Sequence, residues 1–312
     1  MTSPLRPTAP VAEAIARGAP VVALESSVIA QGLPIPANRQ ATERMVAAVA
    51  RSGALPAITA VARGVPVIGL DGDDLERFFR RDGVRKVSAR DLPVAMAQGA
   101  DGATTVAATL ALGVLAGVEV FATGGIGGVH REPEFDESAD LPELARSPMI
   151  VVCAGAKSIL DLPATVERLE TLGVPILGYR TSTLPGFFTT DTGIPLGTRV
   201  ETAAEVAAVW RAHRALGRRS AMVLVQPPPA ELALAADEVR AAVEAALARA
   251  RIEGVRGAAM TPYLLAAVER QTGGRSLVAN LALLEANAAL AGEIAVALSL
   301  VGRSSPRPAT TC

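Results

Sequence analysis

The chain has 312 residues and a formal net charge of −1, and half of its residues are apolar. This length allows one large α/β domain with a sizeable core, and the balanced charge excludes a basic surface for nucleic acid. With two cysteines a disulfide framework is not indicated, which suits a cytoplasmic location. The N-terminus lacks the apolar core of a signal peptide, and the apolar stretch at 103–118 is too short for a membrane span.

Strand-length apolar runs alternate with helical patterns along the chain, which predicts a layered α/β/α sandwich with a mostly parallel sheet. The predicted strands are Val21–Glu25, Ile58–Ala62, Val65–Leu70, Val118–Thr123, Ile150–Ala154, Pro175–Tyr179 and Ala221–Gln226. The predicted helices are Asn38–Ser52, Asp73–Arg81, Leu92–Gln98, Thr104–Ala116, Ser158–Leu172, Ala203–Leu216, Ala230–Ala250, Pro262–Thr272 and Ser276–Leu300.

The strands on either side of Arg63-Gly64 predict a small hairpin, and with it some antiparallel pairing. Residues 1–10 and 304–312 are rich in Pro, Ser and Thr and are predicted to be loose ends. The remaining stretch, 11–303, is predicted to form a single α/β domain.

Only two of the 30 basic residues are lysine, Lys86 and Lys157, and the other 28 are arginine. Arginine replaces lysine wherever only charge is needed, but it cannot lose its proton in a protein. A lysine retained against this bias is therefore a candidate for amine chemistry or for a compact point charge. The alternative is that both lysines survive by chance.

A carboxylate ends the first predicted strand, in Leu24-Glu25-Ser26-Ser27. The carboxyl ends of parallel strands face one rim of the sheet, where ligands bind and an acid can transfer protons. Glu25 is therefore a candidate general acid, with an ordinary acid at a strand end as the alternative.

A candidate phosphate site lies at Gly102-Ala103-Thr104-Thr105-Val106, where an apolar helix is predicted to begin. Free backbone amides and two hydroxyl groups suit a phosphate, and Lys86 can supply the countercharge. The alternative is a plain helix N-cap.

A glycine-rich segment, Thr123–His130, follows an apolar strand, and glycines there let the backbone approach a ligand closely. The segment is a poor dinucleotide fingerprint, because His130 stands at the third glycine position and no helix is predicted to follow. A nicotinamide-dependent oxidoreductase is the competing hypothesis that this loop leaves open.

Three carboxylates follow within five residues of one another, Asp136, Glu137 and Asp140. Clustered oxygen ligands suit a hard divalent metal that is held partly by water. The alternative is a solvated acidic loop in which Ser138 or Asp140 caps the next helix.

The segment Cys153-Ala154-Gly155-Ala156-Lys157-Ser158 ends an apolar strand and is predicted to open a helix. The helix N-terminus repels a structural cation, and burial among small residues also favours the neutral amine. A neutral amine can attack a carbon electrophile and form a Schiff base. Lys157 is therefore a candidate nucleophile, and Cys153 is expected to be a small buried residue.

On the last predicted helix, Ser276 and Asn280 lie four residues apart and share a face bordered by leucines. A buried amide needs hydrogen-bond partners, which can be helix neighbours or a ligand. Asn280 is therefore a candidate pocket residue.

Taken in order from Ala23 to Ala297, these segments resemble the pseudouridine-5′-phosphate glycosidase family, also described as indigoidine synthase A-like. The most specific stretches are Lys86-Val87-Ser88, Gly102–Thr109, Thr123–Arg131, Ser138-Ala139-Asp140-Leu141, Val152–Asp161, Thr261–Leu265 and Ser276–Asn280. The resemblance implies reversible cleavage of the C–C glycosidic bond of pseudouridine 5′-phosphate to uracil and ribose 5-phosphate. It also implies a small-molecule nucleotide substrate and a homotrimer.

The resemblance also implies residue roles, with Lys157 as the imine-forming nucleophile and Glu25 as the general acid. Asp136 would anchor a manganese ion, Mn²⁺, through its hydration shell. Substrate contacts would come from Lys86, Val106, Ser138, Ala139 and Asp140, with Thr105, His130 and Asn280 lining the pocket.

The chain departs from the family pattern at Gln31, where histidine is usual, at Glu137, where an aliphatic residue is common, and at Ala258-Ala259, where lysine and glutamate are expected. The loop from His130 to Asp136 is about two residues shorter than usual. These departures bear on pyrimidine choice and metal affinity. They also leave open a non-catalytic protein of the same fold that binds sugar phosphates.

Overall fold

A computed structural model describes residues 3–132 and 136–302 of the chain. The strands are β1 (Arg6–Pro7), β2 (Val21–Leu24), β3 (Leu55–Ala62), β4 (Val65–Ile68), β5 (Arg85–Val87), β6 (Gly102–Thr104), β7 (Val120–Ala122), β8 (Val129–His130), β9 (Ile150–Cys153), β10 (Leu160–Asp161), β11 (Ile176–Tyr179), β12 (Arg199–Val200) and β13 (Met222–Val225). The α-helices are α1 (Ala9–Ala16), α2 (Ala37–Arg51), α3 (Gly72–Arg80), α4 (Leu92–Ala97), α5 (Val106–Ala116), α6 (Asp140–Leu144), α7 (Leu162–Thr171), α8 (Ala203–Ala215), α9 (Ala236–Glu253), α10 (Met260–Gln271) and α11 (Arg275–Gly302). A π-helical turn at Val28–Gly32 and 3-10 turns at Ala89–Asp91 and Gly257–Ala259 complete the elements.

One mostly parallel sheet forms the centre of the molecule, with strand order β1-β4-β3-β2-β7-β9-β13-β11-β12. Strands β2, β7, β9, β13 and β11 are all parallel to their neighbours in this order. The residues of β2, β7, β9 and β13 are all buried, as expected of strands covered by helices on both faces. Their carboxyl ends meet at one edge of the sheet, which we call the carboxyl rim.

The predicted hairpin is confirmed by β3 and β4, which pair antiparallel with Ala62 opposite Val65. Arg63 and Gly64 form its turn with φ of 49° and 78°, the left-handed conformation that two-residue hairpin turns require. Strand β6 also pairs antiparallel with β3, and β5 runs parallel to β6. Strand β6 runs back toward the carboxyl rim and ends beside the end of β2, where the amide of Thr104 donates to Ser26 Oγ at 2.9 Å.

Helices cover both faces of the sheet, as the sandwich prediction requires. Helix α11 packs against β2, β7 and β9 and against α2 and α8, whereas α5 packs against β3, β4 and α6. By length and composition alone, α11 is apolar enough to cross a membrane. Its packing against three strands and two helices identifies it as a core helix, in agreement with the helix predicted at Ser276–Leu300.

Several predicted bounds differ from the structure. The helix predicted to begin at Thr104 begins at Val106, because 102–104 pair with β3 and β5. The helix predicted from Ser158 begins at Leu162, where the Asp161 side chain accepts a hydrogen bond from the amide of Ala164 at 3.0 Å. The predicted domain start at residue 11 falls inside α1, and β1 precedes it, while the predicted tail 304–312 lies outside the described residues.

Candidate active site

Glu25 follows β2 at the carboxyl rim and is almost fully buried, with 5% of its surface exposed. Two hydroxyl groups donate hydrogen bonds to its carboxylate, that of Thr123 to Oε1 and that of Ser27 to Oε2. A cavity of about 10 Å³ beside it is lined mainly by apolar side chains, among them Met45 and Ile58. The carboxylate is therefore held in place and largely removed from water.

Burial raises the pKa of Glu25, because water no longer solvates the carboxylate. The positive charge of Lys157 and the two hydroxyl donors lower this pKa in part, and the Asp140 carboxylate raises it. The net direction is upward, so Glu25 keeps its proton to a higher pH than a carboxyl group in water. A protonated, positioned carboxyl group suits a general acid.

Lys157 lies on the loop between β9 and β10, and the prediction that it opens a helix is wrong. Because α7 begins only at Leu162, the macrodipole argument does not apply to this amine. Backbone pairing places the residue instead, since its N–H donates to the carbonyl of Ile126 at 3.1 Å. The side chain is half-buried, and its charge acts on both Glu25 and Lys86.

Lys86 completes a group of four charged residues at the carboxyl rim, Glu25, Lys86, Asp140 and Lys157, which we call the rim cluster. Lys86 is exposed to solvent, although enough protein surrounds it to desolvate its amine in part. Desolvation lowers the pKa of Lys86 and Lys157 lowers it further, whereas Asp140 and Glu25 raise it. The structure thus brings together both lysines and the predicted general acid.

The predicted phosphate site is present only in part. The hydroxyl group of Thr104 is committed to the core, because it donates to the carbonyl of Thr59 at 2.8 Å. Thr105 caps α5, and its hydroxyl group accepts the amide of Ala108 at 3.5 Å. The amide of Val106, the first residue of α5, has no acceptor among the described residues, which leaves it available to an anion.

Asp140 fastens the glycine-rich loop to α5. Its Oδ2 accepts the amide of Gly127 at 2.8 Å, and its Oδ1 accepts the amide of Ala107 at 3.0 Å. Ser138 lies against the same carboxylate, because its Oγ accepts the amide of Asp140 at 3.2 Å, and Ala139 directly precedes α6. Asp140 is therefore a buried clamp as well as a member of the rim cluster.

The glycines of this loop face protein. A Cβ at Gly127 would lie 2.1 Å from Ser138 Oγ, and a Cβ at Gly125 would lie 2.7 Å from the Phe187 ring and 2.9 Å from the carbonyl oxygen of Gly155. Each of these two glycines is therefore needed for packing. The expectation that the loop lets the backbone approach a ligand stays a prediction.

The three carboxylates of the acidic segment have three different partners. Asp136 Oδ2 lies 3.4 Å from His130 Nδ1, and Glu137 lies 3.0 Å from Arg168 Nε. In residues 3–132 and 136–302, no three His, Cys, Asp or Glu side chains come together to hold a metal ion. Asp136 by itself fits an ion that keeps most of its water, and it does not fit a caged ion.

The two asparagines of α11 occupy different environments. Asn280 is half-buried, and its predicted place in the pocket stays a prediction. Asn287 is fully buried, and its Nδ2 donates to the carbonyl of Thr123 at 2.8 Å. Its Oδ1 accepts from Gln226 Nε2 at 2.9 Å.

Ser27, Thr123 and Asn287 were not predicted as site residues from the sequence. Thr123 follows β7 as Glu25 follows the neighbouring parallel strand β2, so the pairing of adjacent strand ends was a usable signal for it. Ser27 lies two residues after Glu25. No pattern distinguishes Asn287 within an apolar helix.

Comparison with known proteins confirms the resemblance. The model of the indigoidine synthase A like protein family matches residues 10–297. A pseudouridine-5′-phosphate glycosidase of Gemmatimonas aurantiaca is 67% identical over 293 residues, which cover 94% of this chain and 96% of the relative. Another from Herpetosiphon aurantiacus is 53% identical over 92% of this chain and 96% of the relative.

Two solved structures share the fold. The prealnumycin C-glycosynthase AlnA, crystallised with ribulose 5-phosphate, has a TM-score of 0.89 and 40% identity and covers 96% of this chain and 99% of its own. An indigoidine synthase A-like protein of Thermotoga maritima has a TM-score of 0.87 and 36% identity, with 96% and 98% covered. With a family model and relatives that match over nearly the whole length, the chain belongs to the indigoidine synthase A-like family.

Proposed function

We propose that this chain cleaves the C–C glycosidic bond of pseudouridine 5′-phosphate to uracil and ribose 5-phosphate, with Lys157 as the nucleophile and Glu25 as the general acid. The rim cluster carries the proposal, because it places an amine within electrostatic reach of a carboxyl group whose pKa is raised. The relatives named pseudouridine-5′-phosphate glycosidase and the sugar phosphate bound by the C-glycosynthase support it.

The bond to be broken explains why an amine is needed. A pair of carboxylates serves ordinary glycosidases because an oxygen or nitrogen of the leaving group can be protonated. The uracil of pseudouridine is attached through carbon, so its departure needs an electron-releasing group on C1 of the sugar. An amine bonded to C1 supplies that group, and a guanidinium cannot.

The proposed reaction begins at C1 of the sugar. The Lys157 nitrogen forms a bond to C1, and the bond from C1 to the ring oxygen breaks as Glu25 gives that oxygen its proton. The nitrogen bonded to C1 then returns one of its protons to the Glu25 carboxylate, and Glu25 transfers that proton to C5 of uracil. The electrons of the C1–C5 bond remain with uracil as the nitrogen lone pair forms an iminium with C1. Water hydrolyses the iminium, which releases ribose 5-phosphate, regenerates the amine and returns a proton to Glu25.

The other rim residues bind and orient the substrate in this proposal. Lys86 and the amide of Val106 hold the 5-phosphate, with Thr105 at the same helix start. Ser138, Ala139, Asp140, His130 and Asn280 line the sugar and base pocket. Asp140 keeps both carboxylate oxygens bonded to backbone amides, so it contributes position and negative charge.

Uracil release from pseudouridine 5′-phosphate tests the proposal in wild type, Lys157→Ala and Lys157→Arg. Both variants should fall to background, because arginine keeps the charge and loses the nucleophile. A wild-type protein that binds ribose 5-phosphate and releases no uracil would instead support the non-catalytic sugar-phosphate binder. Residual turnover in Lys157→Arg would remove the amine from the mechanism.

We also propose that Asp136 would hold a hydrated divalent ion such as Mn²⁺, which would supply positive charge to the site. Asp136 has the His130 ring beside it but belongs to no group of three ligands among the described residues, which supports outer-sphere binding. Electron paramagnetic resonance titration of Mn²⁺ should show one bound ion per chain, and Asp136→Asn should abolish it. Glu137→Gln is the matched control, because Glu137 is paired with Arg168.

A homotrimer and a cytoplasmic location complete the proposal. Both rest on the family resemblance. Light scattering coupled to size exclusion tests the trimer, since a chain of 31.9 kDa would give a particle of three times that mass. A monomer at micromolar concentration would exclude it.

A further inference from the structure

The two carboxyl oxygens of Glu25 face hydroxyl groups that differ in how easily they can rotate. Thr123 donates to Oε1 and Ser27 donates to Oε2. Thr123 has 1% of its surface exposed, whereas Ser27 is half-buried at the start of the π-helical turn. The two sides of one carboxyl group therefore differ in how easily their partners can turn.

The backbone of Thr123 is fixed by bonds to two elements of the core, β9 and α11. Its amide donates to the carbonyl of Val152 at 3.0 Å, and its carbonyl accepts the Asn287 side chain at 2.8 Å. The side chain of Gln226 donates to Asn287, and the backbone N–H of Gln226 donates to the carbonyl of Cys153 at 3.0 Å. Helix α11 thus ties the ends of β7, β9 and β13 together directly behind the Thr123 hydroxyl.

Neither hydroxyl group has another acceptor among the described residues, but Thr123 is shielded from water whereas the half-buried Ser27 can donate its hydrogen elsewhere. The Thr123 hydroxyl group therefore stays a donor to Oε1 when Glu25 changes protonation state. A neutral carboxyl group has one O–H, which must donate, and one carbonyl oxygen, which accepts. An oxygen that faces a permanent donor must be the carbonyl oxygen. The proton is then left with Oε2, and Ser27 has to turn so that its oxygen accepts it.

We propose that Thr123, held by Asn287, is a positioning residue that keeps the Glu25 proton on Oε2, and that Ser27 relays this proton to the substrate. The proposal rests on the proposed function of Glu25 as the general acid. In the relay, Oε2 gives its proton to Ser27 Oγ while Ser27 Oγ gives its own hydrogen to the departing ring oxygen. Glu25 ends as a carboxylate, Ser27 as a neutral hydroxyl group, and no further reactant is needed.

Charged groups around Glu25 do not distinguish its two oxygens by hydrogen bonding. Lys157 and Asp140 act on the carboxyl group through space, and Lys86 and Glu25 interact through their charges. Neither Oε1 nor Oε2 receives a charged donor among the described residues. The difference between the oxygens therefore depends on the two hydroxyl partners.

Infrared difference spectroscopy of the protonated Glu25 carbonyl tests the assignment without requiring turnover, with Glu25→Gln used to identify the band. Thr123→Val is close to isosteric and removes the donor, so the carbonyl stretch should move to higher frequency, and Thr123→Ser should restore it. Ser27→Ala should leave that frequency nearly unchanged, because Ser27 faces the O–H side. A shift in Ser27→Ala with none in Thr123→Val would place the proton on Oε1 and overturn the proposal.

Kinetics test the relay itself. Ser27→Ala should lower kcat by about 100-fold with little change in KM, the scale expected when a proton-transfer group is lost. Unchanged kcat in Ser27→Ala would exclude the relay. If the infrared shifts appear as expected and the wild type releases no uracil, the positioning role of Thr123 stands and the proposed function fails.

Discussion

The two edges of the central sheet differ in shape and in charge. The amino edge carries a cavity of about 340 Å³ lined by residues that include Arg17, Val118 and Glu119. The carboxyl rim has a much smaller cavity beside Glu25, of about 10 Å³, but it holds the rim cluster. Buried and interacting charge, rather than cavity volume, therefore distinguishes the edge at which we propose the reaction, and ligands of parallel sheets bind at this edge.

The largest difference between the two edges is expected when the Glu25 carboxyl group is removed. Glu25→Gln keeps the side-chain shape but has no acidic proton, so kcat for uracil release should fall by about 100- to 10,000-fold. At the amino edge, Glu119 accepts the Trp210 indole N–H at 3.0 Å and has no reaction assigned to it. Glu119→Gln should therefore leave kcat/KM unchanged. Equal losses of activity in Glu25→Gln and Glu119→Gln would contradict the assignment of the reaction to the carboxyl rim.

The two asparagines of α11 are expected to differ in role, with Asn287 supporting the fold and Asn280 binding the substrate. Asn287→Ala leaves the carbonyl of Thr123 and the side-chain amide of Gln226 without their partner. This should lower the free energy of unfolding by about 1–3 kcal/mol. Asn280→Ala alters a half-buried side chain, so its unfolding free energy should change by only about 0.5 kcal/mol while KM rises. Denaturant unfolding and steady-state kinetics measure both effects. A larger stability loss in Asn280→Ala would reverse the assignment.

The pKa of Glu25 predicts a pH dependence of stability. Because this pKa is raised above its usual value of 4.5, the folded chain holds a proton that the unfolded chain has released between the two values. The stabilising contribution of this proton is complete below about pH 4.5 and is lost as the pH rises through the folded-state pKa. Relative to wild type, Glu25→Gln should gain more Tm at pH 8 than at pH 4, and a pH-independent difference would contradict the raised pKa.

The smallest effect is expected at Cys153, next to the reactive loop. Burial raises the pKa of its thiol to about 12, so the thiol stays neutral at physiological pH. Cys153→Ala should keep kcat and pH profile and lose only some packing, as expected of a small buried residue. Modification by a thiol reagent in the native state, with loss of activity, would contradict that role.

The sequence predicted the layers, the hairpin and the ends of strands better than the starts of helices. Alternating apolar runs locate β2, β7, β9 and β13, because buried parallel strands are apolar on both faces. Two helices, which begin at Val106 and Leu162, were predicted to begin too early. Thr104 pairs in β6, which depends on tertiary contacts. The Asp161 side chain caps α7, which fixes the start of that helix locally.

The candidate site was predictable where chemistry is rare in the sequence and unpredictable where it is supported by common residues. Lysine scarcity and strand ends pointed to Lys157, Lys86 and Glu25, and the structure places all three at one rim. The packing role of Gly127 was not predictable, because the contacts with Ser138 and Asp140 come from tertiary structure. The same applies to the support that Asn287 gives Thr123.

The central claim is that the Lys157 amine bonds covalently to the sugar, and reductive trapping tests it most directly. The protein would be incubated with ribose 5-phosphate and borohydride and then mapped by mass spectrometry, with Lys86→Arg as the matched control. Since the chain has only two lysines, an adduct on Lys157 in both proteins is the predicted result. An adduct on Lys86 alone, or none in a protein that releases uracil, would contradict the account.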